Sequence, residues 1–355
     1  MVDKVLVFDP AVTDEQIQAW QHHLKLTNGR STTRRLGPNP VLVVPAAPQG
    51  TAVSDQLPVP LREIALTGEI RLSDRSLRPE GTIVRIGPAI IGDGAVNVFA
   101  GPCAVETWEQ LIATATAVAQ CGVIGLRGGA FKPRTSPYSF QGLQWAGLDL
   151  LAKARERTGL PVLTEVVEPD HVGRVAATAD ALQIGARNMQ NFSLLTAAGK
   201  SGKPVVLKRG FGATIDETLG AAEYLLNQGN DQVIICERGI RTFENATRFT
   251  LDLSAVAVFK QRSHLPVMVD PSHAAGIPAL IEPLSLAAAA VGADALLIDV
   301  HVRPEQALCD GKQAMLPRDF ATLMGKLEVL AMGAGRKMGS VPQPDVEELM
   351  AQNPV

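Results

Sequence analysis

Cys103, Arg127, Glu165, Arg187, Lys208 with Arg209, Glu237 with Arg238, His273, and Asp299 with His301 each close a short apolar run, in that order along the chain. Two chemistries are open to such a set. The first is anion binding. Arg127, Lys132, Arg187, Lys208 and Arg238 would repel one another if brought together, so the cluster is costly without a multiply charged anion. A phosphate ester carries about −1.5 to −2 charges near neutral pH, so these cations suit more than one phosphate, or a phosphate plus a carboxylate. Arginine supplies planar bidentate contacts and lysine a mobile point charge. Glu165 and Glu237 can pair with some of these cations but cannot neutralise all of them. The second chemistry is a metal centre. Cys103, His273, Asp299 and Asp310 form a mixed sulfur, nitrogen and oxygen set with two carboxylates. That set suits one divalent transition ion, Mn, Fe, Co or Zn, better than Mg or Ca. Spacing alone makes this a weak motif. Its strength is location, at the ends of the first, seventh and eighth runs.

The runs themselves indicate what must position these residues. They are NVFAGPC (97–103), VIGLRGG (123–129), PVLTEV (161–166), ALQIGAR (181–187), PVVLKRG (204–210), QVIICERG (232–239), PVMVDPSH (266–273) and ALLIDVHV (295–302). Between them lie segments of helical spacing, such as Trp108, Leu111, Ile112, Ala115, Val118 and Ala119. Continuous apolar strands alternating with amphipathic helices predict a parallel sheet covered on its faces. Eight such units in about 240 residues match a closed (β/α)8 barrel, for which ~250 residues is typical. A barrel gathers all its C-terminal strand ends at one mouth, where active sites of this architecture sit. A doubly wound open sheet is the alternative, but no GxGxxG follows a run, which disfavours its dinucleotide-binding form.

The first 80 residues differ. Lys4–Phe8 reads as a strand and Thr13 to Leu26 as a helix, with Thr13 and Gln16 as a capping box and Ile17, Trp20 and Leu24 on one face. Val41–Val44 reads as a second strand, Pro58 to Leu66 as a short helix and Glu69–Leu72 as a strand, while Arg30, Arg34 and Arg35 read as a solvated face. This content predicts a small α+β domain of the ferredoxin-like kind over 1–80. Thr82–Ile86 and Ala89–Ile91, split by Gly87-Pro88, predict a hairpin within a linker at 81–94. The barrel then occupies 95–335, and a polar, loosely held tail 336–355.

Composition sets the class. The chain has 355 residues with 46% apolar and 19% charged, enough apolar content for a large core. The net charge of −3 argues against general affinity for nucleic acid or acidic membranes. No apolar stretch is long enough for a membrane span. The start, MVDKVLVFDP, lacks the features of a secretory signal. Four cysteines make no disulfide framework, so a reducing cytoplasm is the expected location. Two tyrosines and three tryptophans are too few for a stacking platform for nucleic acid or sugars.

Longer motifs carry a resemblance. AGPCAVE (100–106), LRGGAFKPRTSPYSFQGL (126–143), QIGARNMQNF (183–192), KPVVLKRGFGATIDE (203–217), CERGIRTFENATRFTLD (236–252) and VDPSHAAG (269–276) strongly resemble the 3-deoxy-D-arabino-heptulosonate 7-phosphate (DAHP) synthases. The likeness spans roughly 82 to 333 and is closest to the subtype with an N-terminal ferredoxin-like regulatory domain. The sister 3-deoxy-octulosonate 8-phosphate synthases share the barrel but show a KANRSS-like run where this chain has Lys132-Pro133-Arg134-Thr135-Ser136-Pro137. The resemblance implies condensation of phosphoenolpyruvate with D-erythrose 4-phosphate, the first step of the shikimate pathway. It places Arg187, Lys208, Arg238 and the Ala186 backbone on phosphoenolpyruvate, with Arg127 and Lys132 near its carboxylate. Glu165 falls near the reacting centre, and Arg134, Thr135 and Ser136 on the erythrose 4-phosphate phosphate. Lys132, Arg127 and Glu165 become the catalytic group, and Cys103, His273, Asp299 and Asp310 the metal ligands. A homotetramer with tyrosine or phenylalanine as feedback effector is also implied.

One position departs from the family, and a second is unusual. The eighth strand of the family ends Glu-Val-His, where this chain has Asp299-Val300-His301. Aspartate is one methylene shorter, so the backbone moves, or Asp299 reaches the metal through water, or the ion is held more weakly. Cys309, beside Asp310, reads as packing, with a thiolate near the metal or a disulfide to Cys103 as alternatives. A non-catalytic anion sensor on the same scaffold is the reading from another functional class.

Overall fold

An apolar run can bury both of its faces only inside a sheet covered on both sides. The computed structural model of the chain, which describes residues 3–28, 32–44, 57–66, 70–134 and 136–342, shows the eight runs doing so. Four antiparallel strands come first: β1 (Asp3–Val7), β2 (Thr32–Leu36), β3 (Asn39–Val44) and β4 (Arg62–Leu66), with helix α1 (Asp14–Asn28) after β1. A hairpin, β5 (Val84–Ile86) and β6 (Ala89–Ile91), leads to the barrel. The barrel strands are β7 (Asn97–Gly101), β8 (Gly125–Arg127), β9 (Val162–Glu165), β10 (Ala181–Ile184), β11 (Val205–Lys208), β12 (Val233–Glu237), β13 (Val267–Val269) and β14 (Ala295–Asp299). They pair in parallel and in sequence order, and β14 closes on β7, with Asp299 beside Gly101. Every residue of these strands is buried.

Helices α2 (Trp108–Gln120), α3 (Trp145–Thr158), α4 (Val172–Thr178), α5 (Phe192–Lys200), α6 (Ile215–Leu226), α7 (Leu253–Arg262), α8 (Pro271–Ala275), α9 (Pro278–Ala290) and α10 (Pro317–Gly333) alternate with the strands. Sequence-local signals set several starts. Thr107 caps α2, and Thr214 with Glu217 forms a full capping box on α6. Gly101 marks where the barrel end tightens. A Cβ there would lie 2.1 Å from the Arg127 carbonyl oxygen, so only glycine lets the ends of β7 and β8 approach. That approach brings Cys103 beside Arg127 and Lys132.

The N-terminal sheet has the order β2-β3-β1-β4, with every pair antiparallel. This is the strand order of the ferredoxin-like pattern. The segment between β3 and β4 where its second helix belongs falls mostly in 45–56, outside the described residues. The Thr13–Gln16 box forms, and Ile17 and Trp20 bury against Phe8 and Leu42. The side chains of Leu24 and Arg30 are outside the described residues. Val5, Val7, Val41 and Val43 turn the opposite way, into the core shared with the barrel connector. Two local expectations fail. The span expected as a helix, Pro58 to Leu66, contains β4, because Arg62–Leu66 completes the edge against β1 and tertiary pairing overrides the local pattern. Ile70–Leu72 is not a strand: the Glu223 carboxylate accepts the amides of Arg71, Leu72 and Ser73 and holds them as a turn on α6, and Glu69 lies outside the described residues. Arg34 and Arg35 lie in strand β2, where Arg35 is exposed, as expected of a solvated face, and 2.7 Å from Asp14.

The expected loose tail also needs correction at its start. Arg336 donates to the carbonyls of Gly94, Ala95, Ala289 and Ala293 at 2.7–3.1 Å, and Gly339 N donates to Val96 O. Residues 343–355 lie outside the described residues. The connector is clamped at the other side by His264, which is 1% exposed. Its Nε2–H donates to Leu72 O and its Nδ1 accepts from Thr82 Oγ1, each at 2.7 Å, which defines the neutral tautomer. Burial pushes its pKa down to about 4. The unfolded chain therefore binds this proton first, and stability is full above the unfolded value near 6.5 and falls as pH drops toward 4. The expected loss is on the order of 3 kcal/mol over that window, flattening below it. Urea melts of the native chain and of His264→Gln between pH 7 and 4 check it. A native slope equal to that of the variant would remove His264 as the cause.

Candidate active site

The C-terminal strand ends converge on a cavity of about 250 Å3. Arg127, Lys132, Arg134, Arg187, Lys208, Arg238 and Arg248 line it, against the carboxylates Glu165 and Asp310. Ser136, Ala186 and His273 line it too, and Cys103 and Asp299 lie beneath at 2% and 1% exposure. The residues expected from the sequence are thus brought together, except Thr135, which lies outside the described residues. Arg248, Gln183 and Phe211 were not anticipated. Arg248 sits in the loop after β12, and nothing about its spacing marks it. Gln183 faces inward one residue before the end of β10 and donates to Glu165 Oε2 at 3.4 Å. Gly185 makes room for that carboxylate: a Cβ there would lie 2.0 Å from Glu165 Oε1.

Strand alternation sorts the paired residues at two strand ends. The register sets Lys208 of β11 beside Cys236 of β12, so the next residues, Arg209 and Glu237, face the other way and pair at 2.8 Å. Arg209 also reaches Asp252 at 3.1 Å. Neither Arg209 nor Glu237 faces the cavity, whereas Lys208 and Arg238 do. The pairing that the sequence allowed between Glu237 and some of the cavity cations goes instead to Arg209. His301 leaves the cavity as well: its Nδ1 accepts the Arg303 amide and its Nε2 lies 3.7 Å from Glu106.

The inward cations are unequally matched. Arg127 donates to Asp299 Oδ1 at 2.7 Å and to Pro102 O at 2.9 Å. Burial works against its charge, but Asp299, Cys103 and Asp270 outweigh burial and keep it firmly protonated. Lys132 donates to the Cys103 carbonyl at 3.0 Å and lies 3.1 Å from its sulfur. Burial opposes this charge too, and Cys103, Cys309 and Glu165 overcome it. Lys208 meets Asp270 at 2.5 Å. Arg238 has no carboxylate of this kind. It lies over the stacked rings of Phe211 and Phe249, 4.8 and 4.3 Å from their centroids, and its Nη1 is buried with no hydrogen-bond partner among the described residues. Burial pulls its pKa down to about 10. A buried guanidinium left unsatisfied is costly unless an anion completes it.

Beside the cations lies a donor set for a metal. Cys103 Sγ is 3.3 Å from Asp310 Oδ2 and 3.8 Å from His273 Nε2, and His273 Nε2 is 3.7 Å from Asp310 Oδ2. Asp270, 0% exposed, lies 2.8 Å from His273 Nδ1 and so turns Nε2 toward the sulfur. Such a carboxylate behind a ligating imidazole is the usual support of a metal site. Burial opposes the charge on Asp270, while His273 and Lys208 hold its carboxyl far below the usual range. Asp270 was not singled out from the sequence, although it stands three residues before His273 in VDPSH. A buried thiol, imidazole and carboxylate with converging free atoms fit a divalent transition ion.

Comparison with known proteins agrees with this geometry. The family model described as the DAHP synthetase I family matches residues 73–331. A phospho-2-dehydro-3-deoxyheptonate aldolase of Thermotoga maritima is 51% identical over 268 residues, covering 76% of this chain and 79% of the relative. A 2-dehydro-3-deoxyphosphooctonate aldolase of Syntrophotalea carbinolica is more distant, 33% identical over 248 residues, with 64% of this chain and 87% of the relative covered. Among solved structures, the Thermotoga maritima DAHP synthase superposes with a TM-score of 0.76 at 43% identity, over 95% of this chain and 100% of the other. Among the described residues no helix is long and apolar enough to cross a membrane. Barrel, cationic cavity and family match coincide, and the chain belongs to the DAHP synthetase I family.

Proposed function

We propose that the chain condenses phosphoenolpyruvate with D-erythrose 4-phosphate to give DAHP and inorganic phosphate. The observation that carries this is the cavity, where seven cations face two carboxylates next to a sulfur, nitrogen and oxygen donor set. Two phosphates and a carboxylate supply the charge that such a cavity lacks. Arg187, Lys208 and Arg238, with the Ala186 backbone, hold phosphoenolpyruvate, and the unpartnered Nη1 of Arg238 is satisfied there. Arg134, Thr135 and Ser136 hold the phosphate of the aldose, with Arg248 supplying further positive charge across the mouth. The cations offset the repulsion between two polyanions and so keep their carbons in contact.

Cys103, His273 and Asp310 hold the divalent ion, one of Mn, Fe, Co or Zn. When bound, the ion acts as a Lewis acid on the aldehyde carbonyl. Arg127 and Lys132 flank the phosphoenolpyruvate carboxylate. C3 of the enol attacks the aldehyde carbon, positive character develops at C2, water adds there, and phosphate leaves. Glu165 stabilises the developing positive charge, and Lys132 delivers a proton to the new alkoxide from Nζ. No Schiff base is required, because an enol phosphate already carries a nucleophilic carbon. We infer further that residues 1–80 form the sensor for an aromatic amino-acid effector, tyrosine or phenylalanine, in a homotetramer. The four-stranded sheet shares its core with the barrel connector, which supports a coupling of this region to the barrel; the effector and the tetramer rest on the family resemblance.

The test is phosphate release with erythrose 4-phosphate or arabinose 5-phosphate, each with and without a chelator. Turnover with the four-carbon sugar, abolished by chelation and restored by adding back a divalent transition ion, is expected. Preference for the five-carbon sugar would move the assignment to the octulosonate synthases. Undetectable turnover with retained phosphoenolpyruvate binding would favour a sensor.

A further inference from the structure

Asp299 ends β14, where a metal ligand is expected, yet both of its oxygens are already engaged. Oδ1 accepts from Arg127 and Oδ2 from Gln313 Nε2, each at 2.7 Å. It approaches His273 at Nδ1, at 3.6 Å, the nitrogen that Asp270 already holds. Cys103 and Asp310 instead face Nε2. Asp299 does lie within 4.8 Å of Cys103 and His273. An ion bound there would share both oxygens with two buried hydrogen bonds that already fix the direction of this short side chain.

Cys309 stands on the other side. It is 3% exposed, its sulfur is 3.6 Å from that of Cys103, and Cys103, Cys309 and Asp310 gather within 4.8 Å. Donor atoms about 2.0–2.3 Å from one ion in a tetrahedron lie about 3.3–3.8 Å from one another. The separations Cys103–Asp310 (3.3 Å), Cys103–Cys309 (3.6 Å), His273–Asp310 (3.7 Å) and Cys103–His273 (3.8 Å) all fall in that range. Each sulfur also has its own cation, Lys132 on Cys103 and Arg134 on Cys309, so two thiolates are compensated.

We propose that Cys309 is a metal ligand, completing a Cys103, Cys309, His273 and Asp310 set, and that Asp299 is a positioning residue behind it. This rests on the metal reading given above and names the chain's own solution to its shortened carboxylate. Two thiolates favour Zn, Co or Fe over Mn, because soft donors select against the harder ion.

Co2+ titrated into the metal-free full-length chain tests it, read by thiolate-to-cobalt charge-transfer absorbance. The native chain is expected to show the intensity of two thiolates. Cys309→Ser should keep the fold, lose roughly half that intensity and bind Co2+ about tenfold more weakly or worse. Asp299→Asn should keep the two-thiolate intensity. X-ray absorption of the cobalt-loaded native chain counts sulfur neighbours without any substitution, and two are expected. One sulfur, with Cys309→Ser unchanged from native, overturns the role of Cys309 while leaving the metal site intact. Absence of any thiolate band in the native chain overturns both.

Discussion

Lys132→Met is expected to lower kcat about 1,000-fold while the chain stays folded, as judged by circular dichroism. The ammonium sits within 3.1 Å of the Cys103 sulfur and carbonyl, and lines the cavity with Glu165. Among the described residues it is the one lysine that meets the Cys103 sulfur and lines the cavity. A positioned proton donor contributes about 100- to 10,000-fold, and loss of a buried cation beside developing negative charge adds to that. Methionine retains the unbranched stem that lies against Gly129, so the loss reports on the charge. Steady-state consumption of phosphoenolpyruvate measures it, with direct binding of phosphoenolpyruvate as the companion reading. A kcat within about tenfold of native would remove Lys132 from the proton path.

The second large effect is expected at Asp270, a side chain that touches neither the cavity nor the metal donors' free atoms. Asp270→Asn removes the charge that meets both Lys208 and His273 at 0% exposure. Two failures follow from one methylene-neutral change. Lys208 is left as a buried cation without its counter-charge, which costs about 3–5 kcal/mol when one partner of such a pair is lost. His273 loses the carboxylate that fixes its tautomer, which lowers metal affinity about 10- to 100-fold. Chemical denaturation and Co2+ titration read the two losses separately. The double variant Lys208→Met with Asp270→Asn should recover part of the stability, because the stranded charge is gone, and none of the metal affinity. Recovery of both would show that His273 does not depend on Asp270.

The barrel was legible because its signal is local. Each run from Asn97 to Val302 is apolar on both faces, and such a strand has few places to go except a covered parallel sheet. The grouping of Cys103, Arg127, Glu165, Lys208 and His273 followed from that topology, since parallel closed strands end at one rim. The N-terminal region was less legible. The strand at Arg62–Leu66 and the one at Thr32–Leu36 carry weak period-two patterns of their own and exist because β1 and β3 offer them edges. Pairing of this kind joins residues far apart in sequence, which a local pattern does not record.

At the mouth, residue types and the strand ends they occupy came from the sequence alone. Tertiary structure decided which of two neighbours points inward. Arg209 and Glu237 neutralise each other outside the cavity, while Lys208 and Arg238 face into it, because the register of β11 against β12 sets the pleat. It also decided that Asp299 is occupied by Arg127 and Gln313, and that Cys309 arrives 3.6 Å from Cys103 across 206 positions of chain. A strand's composition can name the chemistry available at a rim. Which atoms meet there depends on side-chain reach and on partners supplied by distant loops, and only the folded chain brings those together.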